Sequence, residues 1–204
     1  MPSIRTAARS KKLAAIVLWD AITPFKTWVM PIVADTKNWT WVIERPCPEC
    51  GFDATRYPEA EIAPAIRDNA ASWPAVLART DVRIRPNDST WSPLEYSAHV
   101  RDVLRVYRER LRLMVETDDP LYPNWDQDET AVADAYNEQD PVVVGEQLGA
   151  RAEELASAFD ALTSEQWLRP GRRSDGASFT VSSMAKYLTH DLVHHRWDVR
   201  PVAS

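Results

Sequence analysis

The sequence predicts an all-α fold, a four-helix bundle preceded by an irregular N-terminal extension. Four segments repeat apolar residues at the spacing of an amphipathic helix, and no segment shows the convincing alternation of a half-buried strand. The chain contains only five glycines, which argues against a barrel built on tight turns, and its fifteen prolines punctuate the helical segments. A length of 204 residues suffices for one domain with extensions.

The first predicted helix runs from about Pro58 to Arg79. Pro64 and Pro74 lie within this range, so the apolar pattern does not fix where the helix is continuous. Its apolar side consists of Ile62, Ile66, Trp73, Val76 and Leu77.

The second predicted helix runs from Pro93 to about Thr117, and its start is the best defined in the chain. Ser92 is a typical N-cap residue, and Glu95 three positions later completes a capping box. Trp91 and Tyr96 flank the cap at the positions of a hydrophobic staple. The apolar stripe that follows consists of Val100, Val103, Leu104, Tyr107, Leu111, Met114 and Val115.

Two further helices are predicted, at Pro141–Leu162 and from about Thr180 to Asp198. An acidic connection of residues 118–140 precedes the third helix, and a turn-rich segment, residues 169–178, precedes the fourth. We expect the bundle to occupy residues 58–204, with residues 1–57 as an extension that contains a Cys-x2-Cys turn. Residues 1–40 are expected to be peripheral or loosely ordered, with Met30 as an alternative start.

Bulk composition excludes several classes of protein. The net charge of −6 disfavours nucleic acid as a partner, because phosphate binding needs a basic surface. No run of 18 apolar residues exists, so no membrane span is expected. The short apolar run Leu13–Trp19 ends at Asp20 without a small-x-small cleavage site, which disfavours a signal peptide. With two cysteines only three positions apart, no disulfide framework is predicted, and a cytoplasmic location is expected.

Three of the four histidines fall in a pattern that suits a metal site. His190 and His194 are four residues apart on a predicted helix, so they project from one face and can converge on one ion. His99 shares the inner face of the second helix. Three imidazoles would leave a coordination position open for water or substrate, as in catalytic sites. His195 lies about 100° further round its helix and is placed outside this set.

The same histidine pattern is compatible with roles that involve no metal. A histidine on an apolar face is often a core residue satisfied by one hydrogen bond, and a His-x3-His pair also occurs by chance. Ligating histidines usually donate their second N–H to a carboxylate or carbonyl. The candidates for that role are Glu95, Asp102 and Asp198, although each also suits an exposed helix charge.

Two segments carry a family resemblance. The segment Trp91–His99 resembles the second-helix motif of the DinB-like superfamily, and the segment Tyr187–His195 resembles its fourth-helix His-x3-His motif. The similarity covers roughly residues 58–199 and implies a bundle that binds a divalent ion, with zinc expected and nickel or iron as alternatives. The ligands that this resemblance implies map to His99, His190 and His194.

The resemblance also implies a reaction. It is closest to actinobacterial members, for which mycothiol is the expected low-molecular-weight thiol. We therefore expect a metal-dependent thiol S-transferase or a relative of maleylpyruvate isomerase, in which a metal-bound thiolate attacks a small electrophile. The partners would be that thiol and electrophile, with no nucleic acid and no membrane, and a homodimer is compatible with the sequence. A non-enzymatic metal-binding stress-response protein is the main alternative.

Cys47-Pro-Glu-Cys50 supports a competing hypothesis. A Cys-x2-Cys pair can be redox active, but the thioredoxin-like βαβ setting of such motifs is not evident here. A structural zinc site would need two more ligands, and the chain has no other cysteine, although a dimer could supply them. A packed turn without chemistry is the third alternative.

Overall fold

The computed structural model describes residues 32–33 and 37–201, and its described part is a four-helix bundle, as predicted. The predictions for residues 1–31, including Met30 as a start, lie outside the described residues. The four long helices are α1 at Ile62–Ala71, α3 at Pro93–Glu116, α5 at Pro141–Asp160 and α6 at Val181–Asp198; the short helices are α2 at Trp73–Leu77 and α4 at Gln127–Ala133. None of the described helices is long and apolar enough to cross a membrane.

The long helices pack in a ring rather than in chain order. Both α1 and α3 pack against α5 and α6, so α1 lies diagonally across the bundle from α3. The core between them is apolar and fully enclosed, with Trp73, Ile66, Leu104, Leu148 and Leu188 among its buried side chains. Because α3 faces α6, the inner sides of these two helices can share one polar site inside an otherwise apolar core.

The first predicted helix, residues 58–79, is divided in the structure, where the sequence had left its continuity open. The segment forms a 3-10 turn at Glu59–Glu61, then α1, a break at Ser72, and α2. Pro64 is tolerated because it lies in the first turn of α1, where an N–H has no partner within the helix. Pro74 causes the break, because it cannot donate to the residue 70 carbonyl and its ring clashes with that group.

The predicted cap of α3 is confirmed. Ser92 Oγ accepts from the Glu95 backbone N–H at 3.2 Å, and Glu95 Oε2 accepts from the Ser92 N–H at 2.8 Å. The rings of Trp91 and Tyr96 meet edge to face, with centroids 5.5 Å apart. This start fixes the rotation of α3 and therefore which of its side chains face the bundle interior.

A small sheet was not predicted. β1 at Leu121–Tyr122 pairs in parallel with β2 at Pro170–Arg173, which pairs in antiparallel with β3 at Ser178–Thr180. Strands of two to four residues are too short to show an alternating pattern, which is why the sequence indicated only turns. The sheet closes the end of the bundle, and β3 leads directly into α6.

We expect Gly171→Ala to destabilise the fold by about 1–3 kcal/mol. Gly171 in β2 lies so close to α3 that a Cβ would meet Met114 Cγ at 2.7 Å, and the Met114 side chain is fully buried. Gly149→Ala is the matched control, since a Cβ there meets nothing within 4 Å. Because alanine has a higher helix propensity than glycine, Gly149→Ala should stabilise the fold by roughly 0.5–1 kcal/mol. Urea unfolding of both variants measures the difference, and equal stabilities would contradict the predicted clash.

Residues 37–57 precede the bundle and pack against α6. They contain 3-10 turns at Trp39–Ile43 and Ala54–Arg56, both of which contact α6. Between these turns lies the Cys47–Cys50 turn, and the Cys47 side chain is buried. The described part of the predicted extension is therefore irregular, as expected, and it covers the face of α6 that carries two of the histidines.

Candidate metal centre

The structure divides the predicted site residues between two clusters. In the first cluster, potential ligand atoms of His99, Asp191 and His195 lie within 4.8 Å of one another. In the second, the same holds for Cys47, Cys50, His190 and His194. The three histidines predicted as one ligand set thus do not form one group: His99 lies with His195, whereas His190 and His194 lie with the cysteines.

The geometry of α6 explains the division. Residues four apart share a helix face, so His190 and His194 form one strip, and Asp191 and His195 form a second strip about 100° further round. The second strip faces α3 and His99, and the first faces the Cys47–Cys50 turn. Both strips have ligand spacing, and only the packing of the other elements decides which one meets His99.

His99 is held rigidly but makes no hydrogen bond. Its side chain is fully buried, and within the described chain neither ring nitrogen has a hydrogen-bond partner. The ring stacks on Trp125, with centroids 5.4 Å apart and planes 4° apart, and it meets the His195 ring edge to face at 4.7 Å. Burial, together with the nearby charge of His195, lowers the pKa of His99 to about 3. The imidazole is therefore neutral at physiological pH, as a metal ligand must be.

Two carboxylates flank His195. Its Nε2 lies 3.2 Å from Asp191 Oδ1, and its Nδ1–H donates to Asp198 Oδ2 at 2.9 Å. Burial alone would lower the pKa of His195, but the charges of Asp191 and Asp198 and their hydrogen bonds raise it to about 10. Burial likewise opposes ionisation of Asp191, yet the charge of His195 brings its pKa to about 2. The two carboxylates leave this side of the cluster with a net negative charge, which attracts a cation, and a metal ion that bound His195 there would displace its proton.

In the second cluster, burial favours the neutral forms of both histidines and of Cys50. Burial lowers the pKa of His190 to about 4 and also lowers the pKa of His194. Burial and the neighbouring Cys47 thiol raise the pKa of Cys50 to about 11. Four donor groups thus lie together in a largely buried position, with Trp39 packed on both imidazoles at ring distances of 5.7 and 5.0 Å.

A cleft of about 870 Å³ opens beside both clusters. Asp191, His195 and Asp198 line it, so the first cluster is accessible to a small molecule, while His99 lies behind them. His190 and His194 of the second cluster also line the cleft. The lining further includes these aromatic and charged residues: Lys37, Trp39, Glu49, Trp91, Tyr96, Asp128, Tyr187, Trp197 and Arg200. A cleft of this size accommodates a substrate of several hundred daltons.

The three predicted orienting carboxylates have different positions. Asp198 lies between the clusters, 2.9 Å from His195 Nδ1 and, through its other oxygen, 3.7 Å from His194 Nε2. The Glu95 carboxylate binds Arg85 and the α3 cap, and Asp102 binds Arg101 and Tyr136. Of the three, only Asp198 is placed against a histidine of either cluster.

The residues of the first cluster fit a divalent metal ion. Two imidazoles and one carboxylate form a donor set used by zinc, iron and related ions, with coordination positions left for exogenous ligands. The unpartnered nitrogens of His99 support this assignment, because buried polar atoms normally have a partner. Sequence reasoning did not select Asp191 and His195 as candidate ligands, although Asp191-x3-His195 has the same four-residue spacing as the pair that it selected.

Comparison with known proteins agrees with this architecture. A family model described as the DinB superfamily matches residues 45–199, which include the Cys47–Cys50 turn. Among solved structures, YfiT from Bacillus subtilis matches with a TM-score of 0.61 and 14% identity, over 67% of this chain and 82% of that chain. YfiT is described as a probable metal-dependent hydrolase with an unusual four-helix bundle topology. No curated protein sequence matches the chain. Because the family model covers well over half of its residues, the chain belongs to the DinB superfamily.

Proposed function

We propose that the chain is a metal-dependent enzyme whose ion is held by His99, Asp191 and His195. The observation that carries this proposal is the pair of buried, unpartnered nitrogens of His99 beside the ligand atoms of Asp191 and His195. The latter two residues line the cleft, so an ion at this position would be reachable by a substrate. We expect zinc there, with nickel or iron as alternatives, since all three accept nitrogen and carboxylate ligands.

The protein's own side chains prepare this site. Trp125 fixes the plane of the His99 ring, and Asp198 fixes the orientation of His195 through Nδ1. The aromatic side chains around the cluster exclude water from its inner side, which strengthens electrostatic interactions there. A divalent ion at such a site lowers the pKa of a bound thiol or water, so that the nucleophile is available at neutral pH.

We further propose thiol S-transfer as the reaction, with mycothiol as the cosubstrate. The thiol proton passes to solvent, the sulfur forms a bond to the electrophilic carbon, and the leaving group departs with its bonding electrons. Support comes from the cleft, which has flat aromatic faces suited to a sugar-bearing thiol, including Trp39, Trp91 and Trp197. Lys37 and Arg200 also line it and suit an anionic substrate.

A thiol panel tests this function. The metal-reconstituted protein should conjugate mycothiol to monochlorobimane, followed by fluorescence, faster than it conjugates bacillithiol or glutathione. Chelation should abolish the rate, and His99→Ala should lower it at least about 100-fold, because loss of an orienting residue alone costs about 10–100-fold and loss of a ligand should cost more. Glu146→Ala on α5, an exposed carboxylate far along the chain from these ligands, is the control and should retain the rate.

Two other outcomes would redirect the proposal. The description of YfiT as a probable metal-dependent hydrolase makes hydrolysis the second candidate. Metal-dependent ester or amide cleavage without any thiol would favour water as the nucleophile and contradict S-transfer. Tight metal binding with no turnover in either assay would favour a non-enzymatic metal-binding protein.

A further inference from the structure

The proposed reaction does not use the cluster of Cys47, Cys50, His190 and His194. The cysteines come from the segment before the bundle and the histidines from its last helix, yet their ligand atoms lie within 4.8 Å of one another. Cys47, His190 and His194 are only 1%, 4% and 8% exposed, and both cysteines are free. Two thiolates and two imidazoles form the donor set of structural zinc sites.

We propose that this cluster is a second metal site, a structural zinc site closed by four protein ligands. Its dimensions support the assignment. Cys47 Sγ lies 3.7 Å from His194 Nδ1. In a tetrahedral site with Zn–S near 2.3 Å and Zn–N near 2.05 Å, the separation between these two atoms would be about 3.6 Å. Zinc can therefore enter with little movement of this pair.

The turn that carries the cysteines is already in a ligating shape. The Cys47 N–H donates to the Phe52 carbonyl at 2.9 Å, and the Gly51 N–H donates to the Cys47 carbonyl at 2.9 Å. Gly51 has a φ of +76°, a left-handed conformation that favours glycine. These bonds fold the backbone back on itself within six residues, so both thiols reach the same two imidazoles.

The two histidines also have the environment of ligands. His190 Nε2 is buried and has no hydrogen-bond partner among the described residues. The second nitrogen of His194, Nε2, lies 3.6 Å from Glu49 Oε2 and 3.7 Å from Asp198 Oδ1. These separations exceed hydrogen-bond distance, but they place two carboxylates on the side where a ligating imidazole usually directs its other N–H. One imidazole thus lacks a partner that zinc would supply, and the other faces two carboxylates placed to orient it.

The position of the site indicates what it does. Zinc would tie residues 37–57 to α6 and hold Trp39, which packs on both imidazoles, in the wall of the cleft. His194 directly precedes His195, and Asp198 contacts both residues. The structural ion would therefore fix the orientation of the first cluster through α6 and Asp198. Because His190 and His194 also line the cleft, the ion would lie in the cleft wall, with all four coordination positions taken by protein ligands.

Cobalt(II) substitution of the whole 204-residue chain tests the site. Tetrahedral cobalt bound by thiolates gives intense visible bands and a thiolate-to-cobalt charge-transfer band in the near ultraviolet, which the His99 cluster cannot produce. The wild-type protein should show these bands and hold about two zinc equivalents per chain. The combined variant Cys47→Ser and Cys50→Ser should lose the bands and about one equivalent. His99→Ala, by contrast, should keep the bands.

The test does not depend on the proposed enzyme function. If the first cluster holds no metal, the wild type carries about one equivalent and the cysteine variant about none. His190→Cys is a conservative variant that should keep zinc and intensify the charge-transfer band, because it supplies a third thiolate; a residue with only a packing role would not do this. Absence of the band in the wild type, or an intramolecular disulfide in the purified protein, overturns the proposal and favours a redox role for the cysteines.

Discussion

Asp191→Asn is expected to lower metal-dependent turnover at least about 100-fold, while His190→Ala is expected to leave the ion of the first cluster in place. The Asp191 carboxylate lies with His99 and His195, whereas His190 lies with the cysteines. The asparagine has nearly the same shape as the aspartate and loses only its charge, so the fold should be kept. The two variants therefore show which of the two strips of α6 holds the catalytic ion.

Metal content and kcat/KM, measured together, check this prediction. Asp191→Asn should lose the equivalent that His99→Ala also loses and keep the thiolate-to-cobalt band. His190→Ala should keep that equivalent and lose the one held by the cluster of Cys47, Cys50, His190 and His194. If His190→Ala and His194→Ala abolish turnover while Asp191→Asn is active, then the catalytic ion is held by His99, His190 and His194, as the sequence resemblance implied.

The helices could be predicted because their signals are local. The capping box at Ser92 and Glu95 and the apolar stripe of α3 depend on residues close in sequence, and the structure reproduces both. The position of the break at Ser72 could not be predicted because apolar periodicity continues across it and both Pro64 and Pro74 lie in the segment; only Pro74 interrupts the helix. The three short strands gave no pattern at all.

The site was only partly predictable because its ligands depend on rotation and distant packing. A helix offers two neighbouring strips of ligands in residues 190–195, and nothing within those six residues says which one faces His99. The cysteine turn appeared to lack two ligands, because no local pattern brings it against His190 and His194. Both questions are settled by how α3 and residues 37–57 pack on α6, which periodicity does not report.

Arg85→Ala is expected to destabilise the fold by roughly 3–5 kcal/mol, the cost of leaving a buried charge without its partner. The Arg85 guanidinium binds the Glu95 carboxylate with two hydrogen bonds, one of them at 2.8 Å from Nε. The Glu95 side chain is only 2% exposed and also closes the cap of α3 through Ser92. Removing the arginine leaves the buried Glu95 carboxylate without its partner at the start of α3, the helix that carries His99.

Urea unfolding separates this pair from ordinary surface ion pairs. Arg112→Ala is the matched control, since Arg112 pairs with Glu109 and Glu116 on the exposed side of the same helix and should cost no more than about 1 kcal/mol. The double variant Arg85→Ala with Glu95→Gln should recover part of the loss, because glutamine removes the stranded charge and can still complete the capping box. Similar losses of unfolding free energy for Arg85→Ala and Arg112→Ala would contradict the prediction, because they would show that water solvates the Glu95 carboxylate once Arg85 is removed. A loss confined to Arg85→Ala would show that one buried ion pair stabilises the helix start from which His99 is positioned.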